Sequence, residues 1–282
     1  MSIHPLASVA ETAKIGPNVR IGPFCIVESD TIIGAGCILE SRVVVKSGTT
    51  LGKNNHLLEG AVVGGLPQHA HMPEKPGKVL IGSGNTIREN VTVHRAMETE
   101  EATIIGDGNL LMVNAHIAHN CRLGNNTIIT NNVMLGGHVS VADRAYLSGA
   151  VAVHQFCRIG TLAMVGGQAH VNKDVPPYVT IDGLSSYVVG LNQIGLRRAG
   201  YDLEEVRQLK AAYRVIYRSG LRWDDVLDQL GRQFAHGPAA AFHQFLSTTK
   251  RGIISERRLP PEAAIKIRRD DESEPPARAK AG

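Results

Sequence analysis

Aliphatic residues recur at every sixth position through most of the chain. The series runs from Ile3 to Val171, and 26 of its 29 positions are Ile, Val or Leu; only His69, Lys75 and Thr99 interrupt it. A helix repeats its face every 3.6 residues and a strand every 2, so neither alone keeps a strict period of six. Period six, often with glycine after the apolar residue, is typical of a parallel β-helix. We therefore predict a β-helix over 1–178, with triangular coils of three hexapeptides.

Two segments leave this register, 64–80 and 94–104, and the register returns after each. We expect both to be loops, and loops mounted on a rigid coil are common carriers of function. Glycine and asparagine suit the corners of the coils because both tolerate a positive φ. The asparagines predicted at corners are Asn54, Asn55, Asn85, Asn109, Asn125, Asn126, Asn131 and Asn132.

The pattern changes after residues 174–178, where two consecutive prolines cannot donate to a sheet. We predict a connector over 179–200 and a helical domain over 201–255. Asp202 and Glu205 have the spacing of a capping box at the start of its first helix, and Gly220 is placed to end that helix. Further helices are predicted at 223–233 and 239–248. A tail over 256–282 follows, and its charged, proline- and alanine-rich part, 268–282, is predicted to be disordered.

Composition narrows the class of protein. Aromatic residues make up only 4% of the chain, which suits a core of stacked aliphatic side chains. No apolar run approaches the ~20 residues of a membrane span, and the N-terminus lacks a signal-peptide pattern, so we expect a cytoplasmic protein. The four cysteines form no CxxC pair and are predicted to be buried thiols. They are Cys25, Cys37, Cys121 and Cys157.

The net charge of +4 is unevenly distributed. Seven basic residues but only three acidic ones lie between Arg197 and Arg222, in the first predicted helices. A basic helical surface suits an acidic partner or a phosphate, although a solvated helix face would have the same composition. We expect no binding of nucleic acid.

Six positions fall on one predicted stripe outside the β-helix: His116, His119, Gly137, His138, His154 and Gln155. His116 and His119 flank the inward Ile117, and Gly137 lies three hexapeptides, or one predicted coil, after His119. Histidine is suited to general base catalysis near neutral pH, and a glycine N–H can stabilise an oxyanion. Without an evident nucleophilic serine or cysteine, this set favours direct acyl transfer to a hydroxyl.

Two other hypotheses fit the same residues. His116, His119 and His138 could bind zinc, as three imidazoles do in the hexapeptide carbonic anhydrases. Alternatively, the polar residues could be a stacked surface feature of a noncatalytic scaffold or binding protein.

Eight segments distributed over most of the chain match the motifs of one known family. They are IGPFCIV (21–27), IRENVTVHR (87–95), NLLMVNAHIAH (109–119), GHVSV (137–141), AVHQF (152–156), DVPPY (174–178), IYRSG (216–220) and RGII (251–254). In these segments the chain resembles the UDP-N-acetylglucosamine O-acyltransferases, which catalyse the first step of lipid A synthesis. The resemblance implies a left-handed β-helix with C-terminal helices, assembled as a homotrimer with active sites between subunits. It also implies transfer of an acyl group from acyl carrier protein to UDP-N-acetylglucosamine, with no metal or other cofactor.

Residue roles follow from this resemblance. His119 would be the general base that takes the proton of the sugar 3-hydroxyl, and the N–H of Gly137 would stabilise the oxyanion. Met164 and Gly167 would limit acyl length; a glycine there leaves the groove open, which predicts a long (R)-3-hydroxyacyl chain. The basic helices would dock the acidic carrier protein. Positions implied to bind the nucleotide sugar or the acyl chain are His116, His138, His154 and Gln155, with Asn192 and Arg198 at the nucleotide end.

The chain departs from the common pattern of the family at several positions. The residue after the general base is often Asp, but here it is Asn120, which predicts a weaker base. His69 and His71 replace an acid and a lysine, and Ile194 and Ala199 replace an acidic and a basic residue. These changes leave open a 3-amino sugar nucleotide as acceptor. The related N-acyltransferases are a further alternative, although that family has an additional N-terminal domain and here the repeats begin at once.

Overall fold

In the computed structural model, which describes residues 1–257, the six-residue register closes into coils of three short parallel strands. The first sheet contains, in spatial order, β1 (Ser2–Ile3), β4 (Arg20–Ile21), β7 (Ile38–Leu39), β10 (His56–Leu57), β13 (Thr86–Ile87), β16 (Leu110–Leu111), β19 (Ile128–Ile129), β22 (Tyr146–Leu147), β25 (Met164–Val165), β27 (Val179–Ile181) and β28 (Val188–Leu191). The second contains β2 (Ser8–Val9), β5 (Ile26–Val27), β8 (Val44–Val45), β11 (Val62–Gly65), β14 (Thr92–His94), β17 (His116–Ile117), β20 (Met134–Leu135), β23 (Ala152–Val153) and β26 (His170–Val171). The third contains β3 (Lys14–Ile15), β6 (Ile32–Ile33), β9 (Thr49–Leu51), β12 (Lys78–Ile81), β15 (Ala102–Ile105), β18 (Arg122–Leu123), β21 (Ser140–Val141) and β24 (Arg158–Ile159).

The core consists of the aliphatic residue of each hexapeptide, stacked on its equivalent one coil along. Ile117 pairs with Leu135, and Leu135 pairs with Val153, each in parallel register with the next coil. All three are buried. Full burial of such a side chain contributes about 1.5–3 kcal/mol, so the repeated column stabilises the whole β-helix. The predicted β-helix and its period are therefore confirmed.

The asparagines have two separate roles. Positive φ values at corners are found for three of the predicted positions, Asn54, Asn126 and Asn132. The corner prediction is wrong for Asn55, Asn85 and Asn109, which are buried inside the coil. The side-chain oxygen of Asn55 accepts hydrogen bonds from the backbone and side-chain amides of Asn85, whose own oxygen accepts from the backbone N–H of Asn109. The oxygen of Asn109 in turn accepts from the hydroxyl of Thr127, so all three buried side-chain oxygens have partners, whereas the side-chain NH₂ of Asn109 has none among residues 1–257.

Both loops leave the β-helix at the same corner, between the second and third sheets. The first, 66–77, connects β11 to β12, and the second, 95–101, connects β14 to β15. Ile81 still pairs in register with Leu51 of the coil before it and with Ile105 of the coil after it. Each insertion lengthens its coil by a whole number of hexapeptides, which explains why the sequence register survives. Both loops contact the next corner on the same edge of the β-helix, 118–121.

The segment predicted as a connector contains β27, the antiparallel β28 and a short helix, α1 (Gln193–Arg198), that the sequence pattern did not predict. Helix α2 (Leu203–Arg218) begins with the predicted capping box, formed by Asp202 and Glu205. Helix α3 (Trp223–Gln233) has the predicted bounds, and α4 (Ala240–Leu246) is shorter than predicted.

The helices are fixed to the end of the β-helix by a buried carboxylate. Asp174, 1% exposed, accepts hydrogen bonds from the backbone N–H and the guanidinium of Arg158 and from the hydroxyl of Thr249. The guanidinium also lies 4.2 Å from the ring centroid of Phe245, in α4. This arrangement joins the last coil to the helical domain.

Three features complete the comparison with the sequence predictions. The four cysteines are buried free thiols, as predicted. In the part of the chain that the structure describes, no helix is long and apolar enough to cross a membrane. Of the predicted tail, Glu256 and Arg257 pack beside Val188 of β28; the rest, including the predicted disorder over 268–282, lies outside the described residues.

Candidate active site

The corner between the second and third sheets brings Gly137 directly over His119, as a coil of three hexapeptides predicts. The backbone N–H of His138 donates to the carbonyl oxygen of His119 at 3.0 Å, and that of Phe156 donates to Gly137 at 3.0 Å. These bonds fix successive corners in one column. The carbonyl oxygens of His119 and Gly137 therefore accept hydrogen bonds from the next coil, while the side chains at these corners project outwards.

His119 is held rigidly at this corner, with 8% of its surface exposed. Its Nδ1 lies 2.9 Å from the side-chain oxygen of Asn120. The ring packs against Gly137 so closely that a Cβ there would lie 2.6 Å from Nε2. The backbone N–H of Gly137 donates no hydrogen bond to any residue of 1–257. A base and an unbonded N–H thus stand side by side.

His138 continues this group towards the next coil. Its ring centroid is 5.2 Å from that of His119, edge to face, and 4.5 Å from that of Phe156, on which it stacks. Burial and the neighbouring His119 lower the pKa of His138, which keeps it neutral at physiological pH. On the other side, His69 from the loop 66–77 lies 5.9 Å from the His119 ring.

His116 belongs to a different contact group. Its ring is 5.0 Å from that of His94, and its Nδ1 is 2.9 Å from the hydroxyl of Thr92. His94 in turn donates Nδ1–H to the carbonyl oxygen of Leu66 at 2.6 Å. Burial, followed by the charge of His94, lowers the pKa of His116. The predicted stripe is therefore two adjacent groups of histidines.

This arrangement does not form the zinc site considered from the sequence. Within residues 1–257, no three histidine, cysteine or acidic side chains converge as metal ligands would. His116 contacts His94, whereas His119 and His138 contact each other.

His154 and Gln155 lie one coil beyond Gly137 and are exposed. The Nδ1–H of His154 donates to the carbonyl oxygen of Gln155 at 3.0 Å. In the described part of the chain, no ring contact or hydrogen bond joins His154 to the other histidines. Both residues are accessible to a ligand bound along this corner.

The remaining predicted positions lie elsewhere on the prism. Met164, Asn192 and Arg198 line an open groove of about 750 Å³ between the first sheet and α1. The side-chain oxygen of Asn192 accepts from the N–H of Gly195 and so caps α1, while its amide donates to Leu162. Gly167 is exposed at a neighbouring corner, where a Cβ would lie 3.2 Å from the carbonyl oxygen of Gly149.

Sequence reasoning assigned no role to several residues that contact the site. The backbone N–H of Met97 donates to the side-chain oxygen of Asn120, and the hydroxyl of Thr103 accepts from the Asn120 backbone. The Asn120 side-chain amide donates to Glu98 and Glu101. Three of these partners belong to the loop 95–101. The only available signal was the acidic run METEE within the segment predicted as a loop.

The thiol closest in sequence to the site is unsuited to nucleophilic attack. Cys121 is fully buried and donates to the carbonyl oxygen of Gly136 at 3.2 Å. Burial raises the pKa of Cys121 to about 12, so the thiolate needed for attack is not formed near neutral pH. The chemistry of this corner is therefore that of a base and a backbone donor.

Comparison with known proteins places this geometry in context. A family model described as UDP N-acetylglucosamine O-acyltransferase, domain 2, matches residues 174–254, and a model of bacterial transferase hexapeptide repeats matches 12–47 and 102–137. The acyl-[acyl-carrier-protein]–UDP-N-acetylglucosamine O-acyltransferase of Halorhodospira halophila is 42% identical over 254 residues, which are 89% of this chain and 98% of the relative.

Solved structures agree. The UDP-N-acetylglucosamine acyltransferase of Francisella novicida matches with a TM-score of 0.87 and 35% identity, over 91% of this chain and 95% of the other. That of Bacteroides fragilis matches with a TM-score of 0.86 and 36% identity, over 89% and 99% of the two chains. The predicted fold class, a left-handed parallel β-helix with a C-terminal helical domain, is confirmed.

Proposed function

This chain belongs to the family of acyl-[acyl-carrier-protein]–UDP-N-acetylglucosamine O-acyltransferases, and we propose that its reaction takes place at the corner formed by His119 and Gly137. The enzyme transfers an acyl group from acyl carrier protein to UDP-N-acetylglucosamine, the first step of lipid A synthesis. We infer that the donor is an (R)-3-hydroxyacyl thioester and that the acceptor is the 3-hydroxyl of the sugar.

The reaction proceeds by direct attack. Nε2 of His119 takes the proton of the sugar 3-hydroxyl as its oxygen bonds to the thioester carbonyl carbon. The carbonyl oxygen becomes an oxyanion, to which the Gly137 N–H donates. When the oxyanion collapses, the carbon–sulfur bond breaks and the leaving thiolate receives the proton held by His119. The products are the ester and the free thiol of the carrier, and no acyl-enzyme forms.

One observation supports this mechanism above the others: the fixed pairing of His119 with Asn120 beneath an unbonded N–H of Gly137. The side-chain oxygen of Asn120 already accepts from the N–H of Met97, so the same oxygen faces Nδ1 of His119. Nδ1 must then be the protonated nitrogen, and Nε2 retains the lone pair that a general base requires.

The positions of the two binding regions support a homotrimer. The groove of Asn192 and Arg198 lies on the first sheet, whereas His119 lies at the opposite corner, between the second and third sheets. A single prism separates them, so one nucleotide sugar cannot contact both regions of the same chain. In a trimer, the groove of one subunit can face the His119 corner of its neighbour. We infer that Arg198 then contacts the nucleotide and Met164 and Gly167 line the acyl path.

The helical domain is the inferred dock for acyl carrier protein. Lys210 and Arg214 of α2 line a shallow pocket with Arg218, next to β28. Arg218 is paired with Glu256, whereas Lys210 and Arg214 form no ion pair within residues 1–257, so their charges can attract an acidic partner. Such attraction raises the rate of association more than the affinity, and it weakens with salt.

A transfer assay tests the proposal. Purified protein is incubated with UDP-N-acetylglucosamine and a panel of 3-hydroxyacyl carrier proteins, with and without chelator. The masses of the products are measured by mass spectrometry. We expect a gain of one hydroxyacyl group, insensitive to chelator. His119→Ala should lose activity by about 10²–10⁴-fold while it keeps the oligomeric state of the parent. An active His119→Ala protein would refute the mechanism, and product only from a 3-amino acceptor would refute the assigned substrate.

A further inference from the structure

The residue beside the proposed general base is Asn120, and both polar groups of its side-chain amide are hydrogen-bonded. The oxygen of Asn120 accepts from the backbone N–H of Met97 at 3.0 Å and faces Nδ1 of His119 at 2.9 Å. Its NH₂ group donates to a carboxylate oxygen of Glu98 at 3.2 Å and to one of Glu101. The backbone N–H of Asn120 donates to the hydroxyl of Thr103 at 2.8 Å.

These partners permit only one orientation of the amide. A backbone N–H must meet an acceptor and a carboxylate must meet a donor, so the oxygen of Asn120 points to Met97 and the nitrogen points to the two glutamates. The bonds then run in one direction, from Nδ1–H of His119 to the amide oxygen and from the amide NH₂ to the carboxylates. Connected bonds of this kind polarise one another.

The two glutamates bring negative charge to within one residue of the base. The hydrogen bond with Glu98 raises the pKa of Glu101, and the same contact is the main cause that lowers the pKa of Glu98. Glu98 therefore remains ionised at neutral pH. Both side chains are exposed, so solvent screens the interaction of their charge with His119. We therefore expect a smaller effect on His119 than an adjacent carboxylate would have.

We propose that Glu98 and Glu101 are positioning residues that act on the general base through the amide of Asn120. When His119 accepts the proton of the sugar hydroxyl, its positive charge is stabilised along this path. A carboxylate at position 120 would stabilise the imidazolium of His119 directly. In this chain the carboxylates are those of Glu98 and Glu101, and the amide of Asn120 lies between them and His119. This inference rests on the proposed role of His119.

Other titratable groups face the same residues and affect any pH profile. His69 from the loop 66–77 and His138 from the next corner contact the ring of His119. When His138 is protonated at low pH its charge acts on Glu98, and the charge of Arg122 of β18 acts on Glu101. These groups are unchanged in all the variants below. Differences in the pH profiles of the variants therefore arise from the substituted glutamates and from position 120.

The test is a double-mutant cycle between position 120 and the glutamates. The variants are Glu98→Gln/Glu101→Gln, which removes charge but keeps hydrogen-bond acceptors, Asn120→Asp, and the two combined. Each is measured for kcat, KM and the pH dependence of kcat/KM. We expect the double glutamine variant to lose about tenfold in kcat, a part of the ~10²–10⁴-fold that a general base provides, with little change in KM. Its acidic limb should move to lower pH, because an imidazolium without the carboxylates is less stable.

The effect of Asn120→Asp should change sign between backgrounds. In the parent it places a third carboxylate against Glu98 and Glu101 and removes their NH₂ donor, so kcat should fall. In the double glutamine variant it supplies the missing charge directly, so kcat and the acidic limb should recover. Glu100→Gln is the matched control, since Glu100 lies in the same exposed loop and forms no hydrogen bond with Asn120. This variant should keep parental kinetics.

Equal effects of Asn120→Asp in both backgrounds would overturn the proposal, as would a double glutamine variant with parental kcat and pH profile. If His119→Ala is inactive while the cycle is additive, only the role of the glutamates fails. If His119→Ala remains active, the proposed function of His119 fails and this inference fails with it.

Discussion

Gly137 lies against Cε1 and Nε2 of the His119 imidazole, with no room for a side chain between them. A Cβ at Gly137 would stand 2.5 Å from Cε1 and 2.6 Å from Nε2, and real Cβ contacts do not approach so closely. A side chain at position 137 would therefore displace the imidazole, and with it the proposed base from the proposed oxyanion donor. The two residues are a full coil apart in sequence, and only the winding of the β-helix brings them together.

Gly137→Ala should therefore inactivate the enzyme without unfolding it. The methyl group would displace the imidazole by about 1 Å, and both that displacement and a disturbed oxyanion donor cost on the order of 10²-fold in kcat. Gly149→Ala is the control: it occupies the same turn position two hexapeptides on, where a Cβ meets its nearest neighbour at 3.7 Å. Steady-state kinetics and circular dichroism measure the outcome. A Gly137→Ala protein with parental kcat would show that Gly137 is not part of the site.

The period of six predicts this column of residues because the regular coil has a fixed length, so any residue and the one three hexapeptides on must stack. The same arithmetic does not predict what a loop does. Glu98 and Glu101 contact Asn120 because the loop 95–101 folds back over the following corner, and side-chain positions in an insertion do not follow the repeat. His116 was predicted on one stripe with His119, but it lies in strand β17 and contacts His94 at the end of β14 on the preceding coil, whereas His119 lies at the corner. Helix α1 was missed because it is too short to show a period.

Acyl selectivity should respond to Gly167. A Cβ there would meet the carbonyl oxygen of Gly149 at 3.2 Å, so a larger side chain must project outwards, into the proposed acyl path. Gly167→Met should shift the preference towards shorter acyl chains by about tenfold or more in kcat/KM, since a few methylenes in a closed pocket discriminate by that amount. Competition between acyl carrier proteins of different chain length measures it. Asn131→Met, exposed in the same column two coils earlier, should leave the preference unchanged; an unchanged preference in Gly167→Met would place the acyl chain elsewhere.

The junction of the β-helix with the helical domain should depend on Asp174. Asp174→Asn keeps the shape of the side chain but removes the charge that the guanidinium of Arg158 contacts at 2.8 Å. Loss of one partner of a buried ion pair costs about 3–5 kcal/mol; because Arg158 is partly exposed, we expect about 2–3 kcal/mol in the apparent free energy of unfolding in urea. The exposed pair of Glu204 and Arg207 provides the control, and Glu204→Gln should change stability by less than about 1 kcal/mol. Equal effects of the two substitutions would contradict a structural role for the junction.

His116 should make the stability of the protein fall as the pH falls below about 6.5. Burial lowers the pKa of His116 from its usual value of 6.5, so between the folded pKa and 6.5 the unfolded chain binds more protons than the folded one, and acid favours unfolding. The contribution is fully present above pH 6.5 and is lost as the pH falls towards the folded pKa. His116→Gln removes the titrating ring and can still bond to Thr92, so the difference in its urea midpoint between pH 7.5 and 5.5 should be smaller than in the parent. His154→Gln, at an exposed histidine, should retain the parental difference; if His116→Gln retains it as well, the buried imidazole does not control the acid sensitivity of the fold.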